Sequence, residues 1–118
     1  GLMWPDGVHW TQRAWASAES SADHWIELAW LRPVELTRVI VYWNLEDGRL
    51  YASRQVRVET LVGDSWTPIA AATPKPTEAA SALVFSPTRT TRLRIVQPAG
   101  MGPVARPNIM WVTEIEAG

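Results

Sequence analysis

The stretch Leu36-Thr37-Arg38-Val39-Ile40-Val41-Tyr42-Trp43 decides the fold class. Its second half is β-branched and aromatic without a polar break, which disfavours a helix and suits a pleated surface. Apolar on both faces from Val39 onward, it reads as a central strand covered on both sides. Upstream, Trp25 to Leu31 is a short apolar-rich run closed by Arg32-Pro33. Downstream, Gln55 to Leu61 alternates, with Val56 and Val58 directed inward and Arg57 and Glu59 outward. Gly63-Asp64-Ser65 turns the chain into Trp66-Thr67-Pro68-Ile69. Leu83-Val84-Phe85, Thr91 to Gln97 and Ile109 to Glu116 complete the set, and Leu93 and Ile95 oppose Arg92 and Arg94. Ala70 to Ala82, rich in Pro, Thr and Ala, reads as a long loop. No helical period persists. Seven or eight short strands, spaced about ten residues apart with turn residues between, predict an all-β antiparallel sandwich or jelly roll.

Composition fits one domain spanning residues 1–118. Hydrophobic residues make up 47% of the chain and charged residues 19%, enough apolar material for a packed core. Eleven basic against twelve acidic residues leave no basic face for nucleic acid or an anionic membrane. No apolar run approaches the ~18 residues of a membrane helix, so membrane insertion is not expected. The absence of Cys removes disulfide, thiolate-metal and cysteine-nucleophile chemistry together. Eight Trp stand against two Tyr and one Phe. Most of these indoles are expected to staple the core, with one or two left exposed as stacking platforms. A chain that opens and closes on Gly, with no targeting segment, reads as a monomeric module excised from a longer protein.

Catalytic signatures are missing. His9 and His24 have no nucleophile-and-acid set beside them, and His24 reads as a capped strand entry. Neither a Gly-x-Ser-x-Gly elbow nor a phosphate-binding glycine loop occurs. A chain this short offers no deep cleft for a carboxylate pair. Hard oxygen donors are better placed. Pro5-Asp6-Gly7 puts a carboxylate on a turn with Thr11 five residues later, and Glu114 falls between Val112 and Ile115, where an acid needs a partner. Pairing of Glu114 with an Arg meets the same need.

Two connections concentrate planar and hydrogen-bonding groups. Trp43 to Arg54 carries Asn44, Glu46, Tyr51 and Arg54, and is long for a hairpin connection; Pro98 to Asn108 carries Arg106 and Asn108 in a Gly/Pro-stiffened frame. Sugar hydroxyls are met by such polar side chains, and the apolar face of a pyranose by an aromatic ring. The expected contacts are Arg54, Arg106, Asn44, Asn108 and Glu46 to hydroxyls and Tyr51 or Trp43 as the stacking face. His9 or Trp10 stand at the rim.

The run from Asp6-Gly7 through Trp15-Ala16-Ser17-Ala18 and Asp23-His24-Trp25-Ile26-Glu27-Leu28 resembles discoidin-like domains, the coagulation factor five/eight type C family. So do Leu36-Thr37-Arg38-Val39, Val56-Arg57-Val58-Glu59, Gly63-Asp64-Ser65-Trp66, Thr91 to Ile95 and the ending Trp111 to Glu116. The bacterial members it is most similar to are galactose-binding-like carbohydrate-binding modules attached to secreted glycoside hydrolases. The resemblance implies an eight-stranded jelly-roll sandwich and no catalysis. It also implies sugar binding by loops at one end, and a structural calcium ion held by Asp6, Thr11 and Glu114. An extracellular, cell-surface or periplasmic place follows, with glycan and the other domains of the parent polypeptide as partners. Two departures block transfer of a sugar preference. Thr11 is followed by Trp15 rather than by a Trp two residues on, and both loops differ from the family's pattern. The family's opening strand is hard to find here. A protein-interaction or docking domain on the same scaffold is the alternative function.

Overall fold

The computed structural model describes residues 10–16 and 20–118, the first segment through its backbone. Among the described residues there are seven strands and no helix, hence none long and apolar enough to cross a membrane. The strands are β1 (Trp10–Ala16), β2 (His24–Glu46), β3 (Arg49–Tyr51), β4 (Val56–Val62), β5 (Ser65–Ala72), β6 (Ala80–Gln97) and β7 (Trp111–Ala117). All pairings are antiparallel, in the order β1-β7-β2-β6-β4-β5, with β3 on the free end of β2.

Two strands are too long to be straight. At about 3.3 Å per residue, 23 residues of extended chain would reach roughly 75 Å, yet the molecule measures 38 Å along its longest axis. The ladder between β2 and β6 breaks between Ala29 and Val34 and again between Leu36 and Arg38. Pro33 and Pro87 lie in these breaks, where a residue without an N–H cannot donate to the ladder. There the paired ribbon folds back on itself. The first half of β2 and the second half of β6 join β4 and β5 in one layer; the other halves join β7 and β1 in the second.

Between the layers lies the core: Ile26, Leu28, Trp30, Leu36, Val39, Val41, Trp43, Leu83, Phe85, Leu93, Ile95 and Ile115, among others. Alternation puts them there, since strand side chains change face at every residue. The runs expected at 25–31 and 36–43 are thus two halves of one strand, as are those at 83–85 and 91–97. An opening strand, β1, exists after all, paired to β7. The expected loop from Ala70 to Ala82 shrinks to residues 73–79. Two further findings concern faces. Ile40 and Tyr42 are half-buried, so the central strand has one core face and one partly open face. Glu59 keeps the outward face that alternation gives it, yet is buried against the guanidiniums of Arg57 and Arg94.

Because the ribbon folds back, both ends of β2 and both ends of β6 reach the same edge of the sandwich. The segments 20–23, 47–55, 73–79 and 98–110 gather there. Direct bonds tie them together: Ser20 N–H to the Asn108 carbonyl (2.9 Å), Trp43 N–H to the Ala79 carbonyl (2.9 Å) and Arg54 N–H to the Met101 carbonyl (2.8 Å).

Candidate functional site

Asp47-Gly48 closes a two-residue hairpin between β2 and β3, with φ of 50° and 75°. Positive φ at both central residues is the turn whose twist matches the strands it joins. It pairs Asn44 with Tyr51, Leu45 with Leu50 and Glu46 with Arg49. The hairpin therefore projects at the rim as a rigid tongue.

Beneath it, a polar staple fixes the late loop. Ser53 Oγ–H donates to Gln97 Oε1 (2.5 Å), and Gln97 Nε2–H donates to the Ile109 carbonyl (3.0 Å), both side chains being fully buried. Arg54 completes the clamp by donating from Nε to the Gly102 carbonyl (2.8 Å) and from Nη2 to the Gly100 carbonyl (2.5 Å). The loop itself coils around Gly102, whose N–H reaches the Pro107 carbonyl (2.9 Å). A Cβ at Gly102 would meet the Ile109 carbonyl oxygen at 2.4 Å and that of Arg106 at 2.7 Å, so only glycine fits.

Tongue and loop enclose a cavity of about 350 Å³ lined by residues 49–52 on one side, 103–105 on the other and Pro76 at the flank. Tyr51 packs against Trp111 at 5.0 Å between ring centroids, tilted by 42°. The Arg106 guanidinium lies 5.9 Å from the Trp111 centroid, within cation–π range. Tyr51 and Arg49 thus line a mostly apolar hollow; Trp111 adjoins it through Tyr51, and the Arg106 guanidinium through Trp111.

Of the residues proposed from sequence, Tyr51 lines this cavity and Arg106 lies over Trp111, which packs on Tyr51. Asn44 is half-buried beside Tyr51 in register, Glu46 is exposed at the tongue, and Asn108 is exposed while its carbonyl anchors Ser20. Trp43 is a correction. It is 3% exposed, with its N–H on Ser81 Oγ (2.9 Å), so its rings fill the core and offer no stacking face. Ser81 in turn donates to Glu78, which links this core indole to the segment 73–79. Arg54 is half-buried, and its hydrogen bonds hold the loop in place. Sequence reading missed Trp111 and Arg49. The Asp-Gly dipeptide between Glu46 and Arg49 carries the hairpin signal that would have put Arg49 on the tongue. His9 and Asp6 lie outside the described residues, as does the side chain of Trp10.

Thr11 is described through its backbone, opposite Glu116, with Arg13 opposite Glu114. Glu114 is half-buried on β7, where Thr113 forms a bulge against Tyr42 and Trp43. Burial pushes the Tyr42 phenol above its ordinary value, and the charges of Glu116 and Glu114 push it further, so this patch carries a negative field. Among the described residues no three His, Asp or Glu side chains cluster.

Solved structures share this fold. The chitosan-binding module 1 of a Paenibacillus chitosanase/glucanase superposes with a TM-score of 0.64 at 16% identity, covering 89% of this chain and 75% of that one. CpGH89CBM32-5 from Clostridium perfringens, in complex with GalNAc-β-1,3-galactose, superposes at 0.70 with 13% identity, covering 88% and 73%. A Ruminococcus gnavus GH29 fucosidase in complex with fucose matches at 0.66 with 17% identity over 88% of this chain, which spans 19% of that enzyme. The fold is therefore the galactose-binding-like, discoidin-like β-sandwich. No protein-family profile and no curated protein sequence matches the chain.

Proposed function

We propose that this chain is a non-catalytic carbohydrate-binding module that targets an attached, secreted glycan-active enzyme to its glycan. One observation carries the proposal. The tongue and the late loop meet at a single rim around an apolar hollow lined by Tyr51 and Arg49, with Trp111 packed on Tyr51 and the Arg106 guanidinium on Trp111. In this reading a pyranose lays its C–H face on Tyr51 and Trp111. Arg106 and Arg49 donate to its hydroxyls, and Asn44, Glu46 and Asn108 stand at the margin. Two of the structural neighbours support the reading, since one is named for binding chitosan and the other is in complex with a disaccharide. A site that covers one or two rings binds weakly, at about −4 to −6 kcal/mol, in the millimolar to high-micromolar range.

A glycan array followed by titration calorimetry tests this. Tyr51→Ala and Arg106→Ala should each weaken binding at least tenfold while leaving the melting temperature within a few degrees. Unchanged titration heats for both variants would remove the site, and an array without hits would favour a docking role. We further propose a structural calcium ion at Asp6, Thr11 and Glu114. The structure describes the Glu114 side chain and the Thr11 backbone of this set, so the proposal rests on the resemblance.

A further inference from the structure

We infer that the outer face of the β4-β5 layer is a second saccharide-binding surface, which takes a neutral, extended glycan chain. The inference rests on the carbohydrate-binding reading of the rim. Trp25 has Ile26 and His24 as buried neighbours and so points away from the core; it is 52% exposed. Its cross-strand partner is Val96, which pairs next with Arg57, and Arg57 with Ala71. Directly opposed residues share a face, so Trp25, Val96, Arg57 and Ala71 form one row across four strands, about 14 Å long at 4.8 Å per strand; Val96 itself is buried, so the row shows Trp25, Arg57 and Ala71 to solvent. That is room for two to three pyranose rings. The adjacent row is Glu27, Arg94 and Glu59.

The chemistry of this face matches a flat, uncharged, hydroxyl-bearing ligand. The Arg94 guanidinium lies 5.7 Å from the Trp25 ring and 4.5 Å from the Trp66 ring, which holds the charged plane between two indoles. Glu59 accepts from Arg94 Nε (2.5 Å) and Arg57 Nε (2.6 Å). Arg57 also approaches Asp23 (3.8 Å), and Arg92 approaches Glu27 (3.5 Å). Three guanidiniums are thus balanced by three carboxylates, a sum that favours neither polyanions nor polycations. At the β4–β5 end of the row a separate cavity of about 370 Å³ opens, lined among others by Arg57, Ala71, Thr73 and Pro98. Packing accounts for the burial of Glu59. Trp25 packs one flank on Arg94 and still leaves half of its surface in solvent, at the end of its row away from Ala71.

Wild type, Trp25→Ala and Ala71→Arg are titrated with neutral linear hexasaccharides of β-1,4-linked glucose, xylose and N-acetylglucosamine, and with the monosaccharides positive on the array. Ala71→Arg fills the cavity without removing a packed group, which guards against a Trp25 variant that fails to fold. The expected result is a tenfold or larger loss of affinity for at least one hexasaccharide in both variants, with monosaccharide affinity unchanged. Tyr51→Ala shows the reverse for monosaccharides. Equal hexasaccharide affinity in wild type and both variants overturns the second surface and leaves the rim intact. Hexasaccharide loss in Tyr51→Ala alone overturns it as well. Binding restricted to sulfated or uronic polysaccharides overturns the neutral assignment, and no binding of any saccharide overturns both readings.

Discussion

Glu59 shows how much a single residue can depart from the pattern around it. Alternation marks it for solvent, but a bulge between Val58 and Glu59 in the β4–β5 ladder and two arginines close over its carboxylate. Burial alone would raise its pKa; hydrogen bonds from Arg57 and Arg94, and their charges, outweigh that and hold it below the usual carboxylate range. A group depressed in the folded state adds stability above its unfolded pKa, about 4.3 for Glu. The stability is lost as pH falls through the folded value. Melting temperature should therefore drop more steeply below pH 4.5 in wild type than in Glu59→Gln, which is already destabilised at pH 7 by two uncompensated guanidiniums. Parallel curves would exclude this ion cluster as a source of acid sensitivity. Gly102 supports a second prediction. Gly102→Ala forces a methyl group against three carbonyl oxygens, at a cost of about 1–3 kcal/mol. It should lower both the melting temperature and the sugar affinity, because the loop bearing Arg106 must open. Neither residue's role was legible in the sequence, since each depends on contacts between distant segments. Trp43 was misread for the same reason: an indole at the end of a strand shows its face only when the opposite layer is in place.

At the scale of elements, local chemistry was more informative. Val56, Val58, Leu93 and Ile95 went where alternation sent them, all at or near full burial. The turn at Gly63, with φ of 61°, joins β4 to β5 as its composition indicates. What could not be read was continuity. Arg32-Pro33 looks like a strand end, and it is one for the ladder, but the chain remains extended through it and re-pairs with the same partner. The tongue illustrates the opposite case, for Asp47-Gly48 is a strong local signal that was passed over in favour of a long loop. Substitution there has a defined outcome. Gly48→Val places a β-branched residue at φ near 75°. It should cost about 1–3 kcal/mol and displace Arg49 and Tyr51, weakening sugar binding more than Leu45→Ala on the exposed face. Crystallographic or NMR analysis that finds the tongue unmoved in Gly48→Val would contradict this.

For the whole molecule, the class of fold was accessible from strand spacing, whereas the way the layers share strands emerged only in three dimensions. Calcium belongs to this scale, because its predicted ligands join the chain's beginning to its last strand. If the ion is bound, addition of a chelator should lower the melting temperature by several degrees and restoration of Ca2+ should recover it, through the linkage of binding to folding. A melt indifferent to both would eliminate the site. The folded-back ribbon has its own consequence. Residues of β2 and β6 contribute to each layer, so neither layer owns a complete set of edges, and loosening one strips partners from the other. Calorimetric and van't Hoff enthalpies should agree, giving one transition at every pH where the protein melts reversibly. Evolution can vary the tips of such a molecule freely, but it cannot trade one slab for another without rewriting both.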